Sequence, residues 1–580
     1  MSKYTILKIA SQPGIQRDGS SYNTPNYTDG QWCRFWEGCP RKMGGYVYML
    51  TGNTEPVRDM FSVSKPSSID LYLGRESTVS YINLNYNGIP VAGTDPLVPL
   101  GSPLTPEIDR TPQTGFTTNT NNLWDFDLFT DTESFGVDNA TLCVVAQVAP
   151  NADDVSNTEP GALFYGSVSN NLPLTQIFYD DGTPVLASGG LVVIPPLVVA
   201  YGNDGNIAWS DDGKVTAWSR SNFLNLGNTK VVRGFNLRGS SPTGIFWTLN
   251  AVIRAQYTQI TTSTAGVATT ETTFISSTVD NSITIMSPDS IVEYDQMYFW
   301  VGTDQFYFYN GIVNKLPNTM NSNYFFEGID LKNRSKVWGM VVRKYSEIWW
   351  FYPRQFNQDG TVNTTGECNA ALIFSTQSSI WYDTWLDRGS GVPTSIFPFP
   401  IMASNKLTTI ATAGGLITSY PIWFHEQGSD AALYNSGSGT PTPTTGIQYN
   451  LTPIKSWFTT AWIDLFSQDP TASVWLANRR LAPDFSYLYA GNGVPAPDVP
   501  SPPMTFVVAN RDYPQSEPLY DPESVTDPTV GGYQFWGDTA FVDLSSQGTI
   551  VSFTFTSNAI YGFYQMGKTL YFLEKGDALR

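Results

Sequence analysis

Two aromatic ribbons between Val292 and Pro353 constrain this chain more than any other stretch. Met297-Tyr298-Phe299-Trp300-Val301 turns at Gly302-Thr303-Asp304 and returns as Phe306-Tyr307-Phe308-Tyr309 to Asn310-Gly311. Lys336 to Val342 then breaks at Arg343-Lys344-Tyr345-Ser346 and resumes as Glu347-Ile348-Trp349-Trp350-Phe351-Tyr352. Aromatic and β-branched side chains suit a pleated, half-buried surface, and Asn-Gly supplies the positive φ of a tight turn. Four short strands in about fifty residues read as one blade of a β-propeller, whose repeats run roughly 40–50 residues.

The same pattern recurs. Ile69–Leu73 turns into Thr78–Ile82, Leu197–Ala200 into Ile207–Ser210, and Gly244–Thr248 into Ala251–Ala255. Turns near Gly205, Asn250, Gly302, Gly360 and Gly414 follow one another at roughly fifty residues, which predicts six or seven blades. Pro184 to Tyr201 is the longest apolar stretch. Gly189-Gly190 and Pro195-Pro196 interrupt it, so it reads as two buried strands and not as a membrane helix. Beyond a Gly/Ser/Thr/Pro-rich linker, strand candidates at Ile454–Leu465, Ser473–Leu481, Met504–Ala509, Thr549–Phe555 and Thr569–Leu573 suggest a sandwich. The expected order is an N-terminal platform segment over 1–55, an all-β propeller over 56–434, a linker over 435–446 and a C-terminal β-sandwich-like platform domain over 447–580. Gly14 to Tyr46 is expected to pack away from the blades.

Charge and reactive residues narrow the function. Charged residues make up 14% of the chain and the net charge is −19. No basic run exceeds two residues, which argues against tight nucleic-acid binding and suits a surface that DNA slides past. Arg17, Arg34, Arg41 and Lys42 cluster near the N-terminus and are assigned as contacts between packed pieces or subunits, not as ligand-binding residues. Cys33, Cys39, Cys143 and Cys368 lack the spacing of a zinc site; Cys33 and Cys39 could pair locally, with reduced thiols the default. The Asp-rich turns Asp180-Asp181-Gly182, Asp204-Gly205 and Asp211-Asp212-Gly213 read as turns, since none completes a calcium-binding loop. His425, the one histidine, stands beside Glu426 and is assigned a structural hydrogen bond. No catalytic, cofactor-binding or metal residue is assigned, and no enzyme is expected. Met1 to Ala10 has no apolar run of signal-peptide length.

Several separated motifs carry a family resemblance. They are Gly14 to Tyr46, Ala208-Trp209-Ser210 with Trp218, Met297 to Gly311, Glu347 to Pro353, Trp381 with Trp385, His425-Glu426-Gln427-Gly428 and Pro483-Asp484-Phe485. In their order the chain resembles the tail hub or tail nozzle proteins of short-tailed bacteriophages, also called packaged-DNA stabilisation proteins. The resemblance implies a propeller on a platform made by terminal segments. It implies a homo-oligomer, a hexameric ring below the portal and adaptor proteins, that extends the DNA channel, retains packaged genome and carries fibres or spikes. Such a protein is made in the host cytoplasm and resides in the virion tail, without cofactor or membrane anchor. The competing reading is a receptor- or glycan-binding propeller whose exposed Trp and Tyr stack on sugar rings; a glycan-cleaving enzyme is a weaker third.

Overall fold

The computed structural model describes residues 5–9, 11–22, 24–50, 54–65, 68–85, 107–116, 123–148, 161–227, 229–237, 239, 241–264, 267–393, 400–412, 415–434, 449–464, 474–487 and 504–578. The expected linker, most of the loop over 93–122, the acidic loop over 151–159 and the connection over 491–503 lie outside them.

Among the described residues the chain is an all-β propeller of seven blades carried on a second β body. Six blades are consecutive four-stranded antiparallel meanders, beginning with Val57–Ser64, Leu123–Thr130, Gly190–Ile194, Val231–Leu237, Val292–Tyr294 and Trp338–Val342. These first strands line the axis and pack on one another in order. That of the fourth blade reaches the fifth through the turn Pro288–Ser290, and the seventh's, Ser390–Val392, returns to Val57–Ser64. Ser390 Oγ donates to the Val57 carbonyl across that last junction, at 2.9 Å.

Separate apolar clusters fill most of the blade-to-blade interfaces. Val292, Phe299, Val341, Trp350 and Trp381 belong to the one between blades five and six. Large flat rings suit these wedges because stacked sheets stand ~10 Å apart. Here the sequence reading needs correction. The four strands taken as one blade over Val292–Pro353 belong to two. The fifth blade gains Val292–Tyr294 and Val313–Leu316, strands too short and too polar to stand out. The helix Ser322–Gly328 and the 3-10 turn Leu331–Lys336 then lead to the sixth.

The seventh blade is composite. After Ser390–Val392, Ile401–Ala403 and Ile422–His425, its fourth strand is Tyr46–Leu50, supplied by the N-terminal part of the chain. Asp430–Tyr434 pairs parallel to that strand and Tyr449–Pro453 extends the sheet. Tyr46–Leu50, placed by sequence in the platform segment, is therefore a blade strand. Joining early and late strands in one sheet shuts the ring without a covalent link.

The remaining termini interleave. Thr5–Lys8 pairs with Leu570–Ala578, Asp29–Gln31 with Ser456–Thr459, and Cys39–Lys42 with Tyr564–Met566. Leu481, Tyr571 and Leu573 from one sheet share a buried core with Phe506, Val508, Phe553 and Phe555 from the other, as in a sandwich. That core continues into Trp338, Met340, Trp349 and Phe351 of the sixth blade, so platform and propeller have one apolar interior.

Candidate functional site

Two polar constellations stand out, and both are made of residues that bridge separately folded pieces. The first is the seam between platform and propeller. Arg34 lies on Cys33–Trp36 and its side chain is 1% exposed. Its guanidinium donates Nε to Glu347 at 2.9 Å and Nη2 to Glu426 at 2.6 Å, and its face covers the Tyr345 ring at 3.6 Å. Glu347 opens the second strand of the sixth blade and Glu426 follows the third strand of the seventh. One cation of the N-terminal segment therefore joins two blades to the platform. Burial raises the Glu347 carboxyl, and Arg34 pulls it back. Glu426 also accepts from the Gly44 amide at 3.1 Å. It holds a positive φ of 59°, and a Cβ at Gly44 would meet its Cα at 2.7 Å, so the chain can pass there only as glycine.

Arg17 makes a second weld. It donates Nε and Nη2 to Asp383 of the sixth blade, at 3.0 and 3.1 Å, and also pairs with Asp29. Next to it, the Asp18 carboxylate accepts from the amides of Asn323 and Tyr324, each at 2.8 Å, and so caps the helix Ser322–Gly328. Lys42 is fully buried and its Nζ makes no hydrogen bond among the described residues. Burial lowers its pKa to about 8, with the field of Asp430 opposing. Arg41 lies over the Tyr345 and Phe563 rings, at 5.9 and 5.1 Å. Arg17 and Arg34 thus contact the propeller within one chain, each against a propeller carboxylate.

The lone histidine belongs to the same region. His425 Nε2 accepts from Arg388 Nε at 2.9 Å, which makes it the neutral tautomer protonated at Nδ1. Its ring lies 5.4 Å from Tyr46 of the closing strand. Burial, and secondarily the Arg388 charge, hold its pKa well below 6.5. Stability from this group is complete above about pH 6.5 and is lost at ~1.4 kcal/mol per pH unit as acid titrates the unfolded chain. His425→Gln keeps an acceptor for Arg388 without a titrating proton. The variant is expected to lose less stability than the parent between pH 7 and pH 5 in parallel denaturant titrations; superimposable pH profiles would contradict this.

The second constellation lies on the axis. A cavity of about 310 Å³ is lined by Asp125 and Asp127 of the second blade, Leu191 and Val193 of the third, Arg233 of the fourth and Glu293 of the fifth, among others. The first strand of each blade has an edge with unpaired amides. Asp125 accepts from Leu191 N at 2.9 Å and Asp127 from Val193 N at 2.8 Å, so these acids satisfy the edge of the next blade. Arg233 Nη1 lies 3.0 Å from Asp125 and 3.3 Å from Asp289, which ties the second blade to the turn leading into the fifth. Burial outweighs that cation and raises Asp127 and Asp289 to about 6; Asp59 rises further, through burial and the Asp289 charge. Groups raised in the fold favour it as pH falls. Arg233→Gln is expected to destabilise strongly at pH 7.5 and much less at pH 5.5, where the orphaned acids take up protons. An equal loss at both values would refute the linkage.

The cysteines are free thiols. Cys33 faces Lys42 and Cys39 faces Trp36 across their hairpin, so the two are not cross-strand partners. Among the Asp-rich turns, Asp181 accepts from Thr183 N at 2.9 Å and pairs with Arg220 at 3.0 Å. The sequence reading missed Asp125, Asp127 and Arg233. The alternation Trp124-Asp125-Phe126-Asp127-Leu128 was visible, but an acid on an inward strand face has no local signature.

The fold and these sites define a propeller-and-platform protein. No protein-family model matches the chain. No curated protein matches it either. Among solved structures it is similar to the WD40 β-propeller domain of Doa1, with 11% identity and a TM-score of 0.34 over 65% of this chain and 97% of that one. A chain of the Mitotic Checkpoint Complex shows 9% identity and a TM-score of 0.33 over 73% and 95%. A putative exported protein of Bacteroides fragilis shows 8% identity and a TM-score of 0.26 over 54% and 98%.

Proposed function

We propose that this protein is a non-catalytic structural component of a short-tailed phage virion, a tail hub or nozzle. In this reading copies of the chain form a ring, six in number, that continues the DNA channel below the portal and adaptor, helps retain the packaged genome and carries fibres or spikes. The observation that carries the reading is the welding of both chain ends into a platform continuous with the sixth blade's core. A propeller held this way suits a load-transmitting fitting. Arg17 and Arg34 at the seam are paired with propeller acids, and the chain keeps a net charge of −19. Such a surface lets DNA pass with little adhesion.

The test is co-sedimentation of the purified protein with a portal–adaptor assembly, together with a duplex-DNA titration at physiological salt. Capture on the assembly with DNA affinity no tighter than the ~10⁻⁴–10⁻⁶ M of non-specific binding is expected. Nanomolar, salt-sensitive DNA binding, or no capture with saturable binding to an oligosaccharide, would replace the hub by another function, the latter by a glycan-binding propeller.

A further inference from the structure

We infer that a β-arm rising from the fourth blade is the clasp by which one copy of this chain grips the next; the inference rests on the self-assembling hub proposed above. Val252–Thr264 and Val267–Asp280 pair with each other along their whole length, from Val252 opposite Asp280 to Thr264 opposite Val267. The neighbouring strand Thr243–Thr248 covers the first of them only from Val252 to Gln256. From Thr258 onward the ribbon has two strands, and among the described residues neither edge pairs with another strand. It projects roughly 25 Å at about 3.4 Å per residue.

The root is fixed. The Phe274 ring lies 5.0 Å from Trp209 and 5.1 Å from Tyr257, and the Tyr257 hydroxyl donates to Asp212 of the third blade at 2.9 Å. The arm therefore leaves the blade in a set direction. A two-stranded ribbon is marginal alone in water and gains stability by adding a strand or a packed face. Exposed edges are normally protected by Lys, Pro or a bulge. Residues 258–273 include eight threonines, no Lys, Arg or Pro, and one charge, Glu271. This composition favours pairing with another strand.

Charge selects the partner. Two copies each bearing −19 repel when their general surfaces approach. A ribbon with a single charge is where like chains meet at least electrostatic cost. The same neutrality gives a basic or an acidic foreign protein nothing to recognise. The occupant is accordingly a second copy of this chain, joined by backbone pairing along the arm.

The experiment compares three full-length proteins by sedimentation velocity over a concentration series. They are the native chain, a variant with residues 258–273 replaced by Asn-Gly, and Thr262→Lys/Thr270→Lys, with circular dichroism confirming the fold of each. The native chain is expected to sediment as a multiple of 64.0 kDa. The shortened variant should remain monomeric, and the lysine pair should need at least tenfold more protein to assemble. If all three assemble alike, the clasp is wrong while the ring stands. If the native chain stays monomeric at every concentration, both the clasp and the ring are wrong.

Discussion

Replacing Arg34 with methionine is expected to cost about 3–5 kcal/mol, the range for breaking a buried ion pair by removing one partner. Glu347 and Glu426 would remain with side chains 2% and 4% exposed, stripped of the guanidinium that both of them hold. In denaturant the first transition should move well below that of the parent, and protease should then cleave between propeller and platform. Arg34→Lys should rescue little, since an ammonium cannot fork between two carboxylates while lying flat on Tyr345. The triple variant Arg34→Met, Glu347→Gln, Glu426→Gln should recover part of the loss, because the stranded charges go with the cation. An Arg34→Met protein as stable as the parent would show that the seam contributes no net stability.

The second large effect concerns ring closure. Val47 is buried in the closing strand, opposite Phe424 on one side and Ala432 on the other. Proline there removes a ladder hydrogen bond from an interior strand, where proline is otherwise confined to edges and bulges. Val47→Pro is expected to release the N-terminal strand and open the blade-one to blade-seven junction, exposing residues around Ile401 and Ile422 to rapid amide exchange. Exchange confined to residues 44–50 would mean that the propeller is closed by other contacts.

The strands were largely legible because aromatic runs bounded by Gly and Asn turns announce themselves locally. Blade boundaries were less so. Val292–Tyr294 and Val313–Leu316 carry too little apolar alternation to be counted, which shifted the reference blade by half a unit. Closure by Tyr46–Leu50 depends on pairing with Ile422–His425, far along the chain, and no local pattern reports that. Arg34, Glu347 and Glu426 all fell within motifs singled out by sequence. Their convergence did not, since the partners lie 313 and 392 residues from the arginine. The axial acids were hidden by the same difficulty: Asp125 and Asp127 bond amides 66 residues away.

The proposed hub is a propeller fixed to a platform for assembly into a channel. Electron cryo-microscopy of the purified protein bound to a portal–adaptor complex tests this most directly. The predicted image is a closed ring with platforms toward the adaptor, propellers pointing away and an open central passage between subunits. Isolated propellers beside an unoccupied adaptor would contradict it.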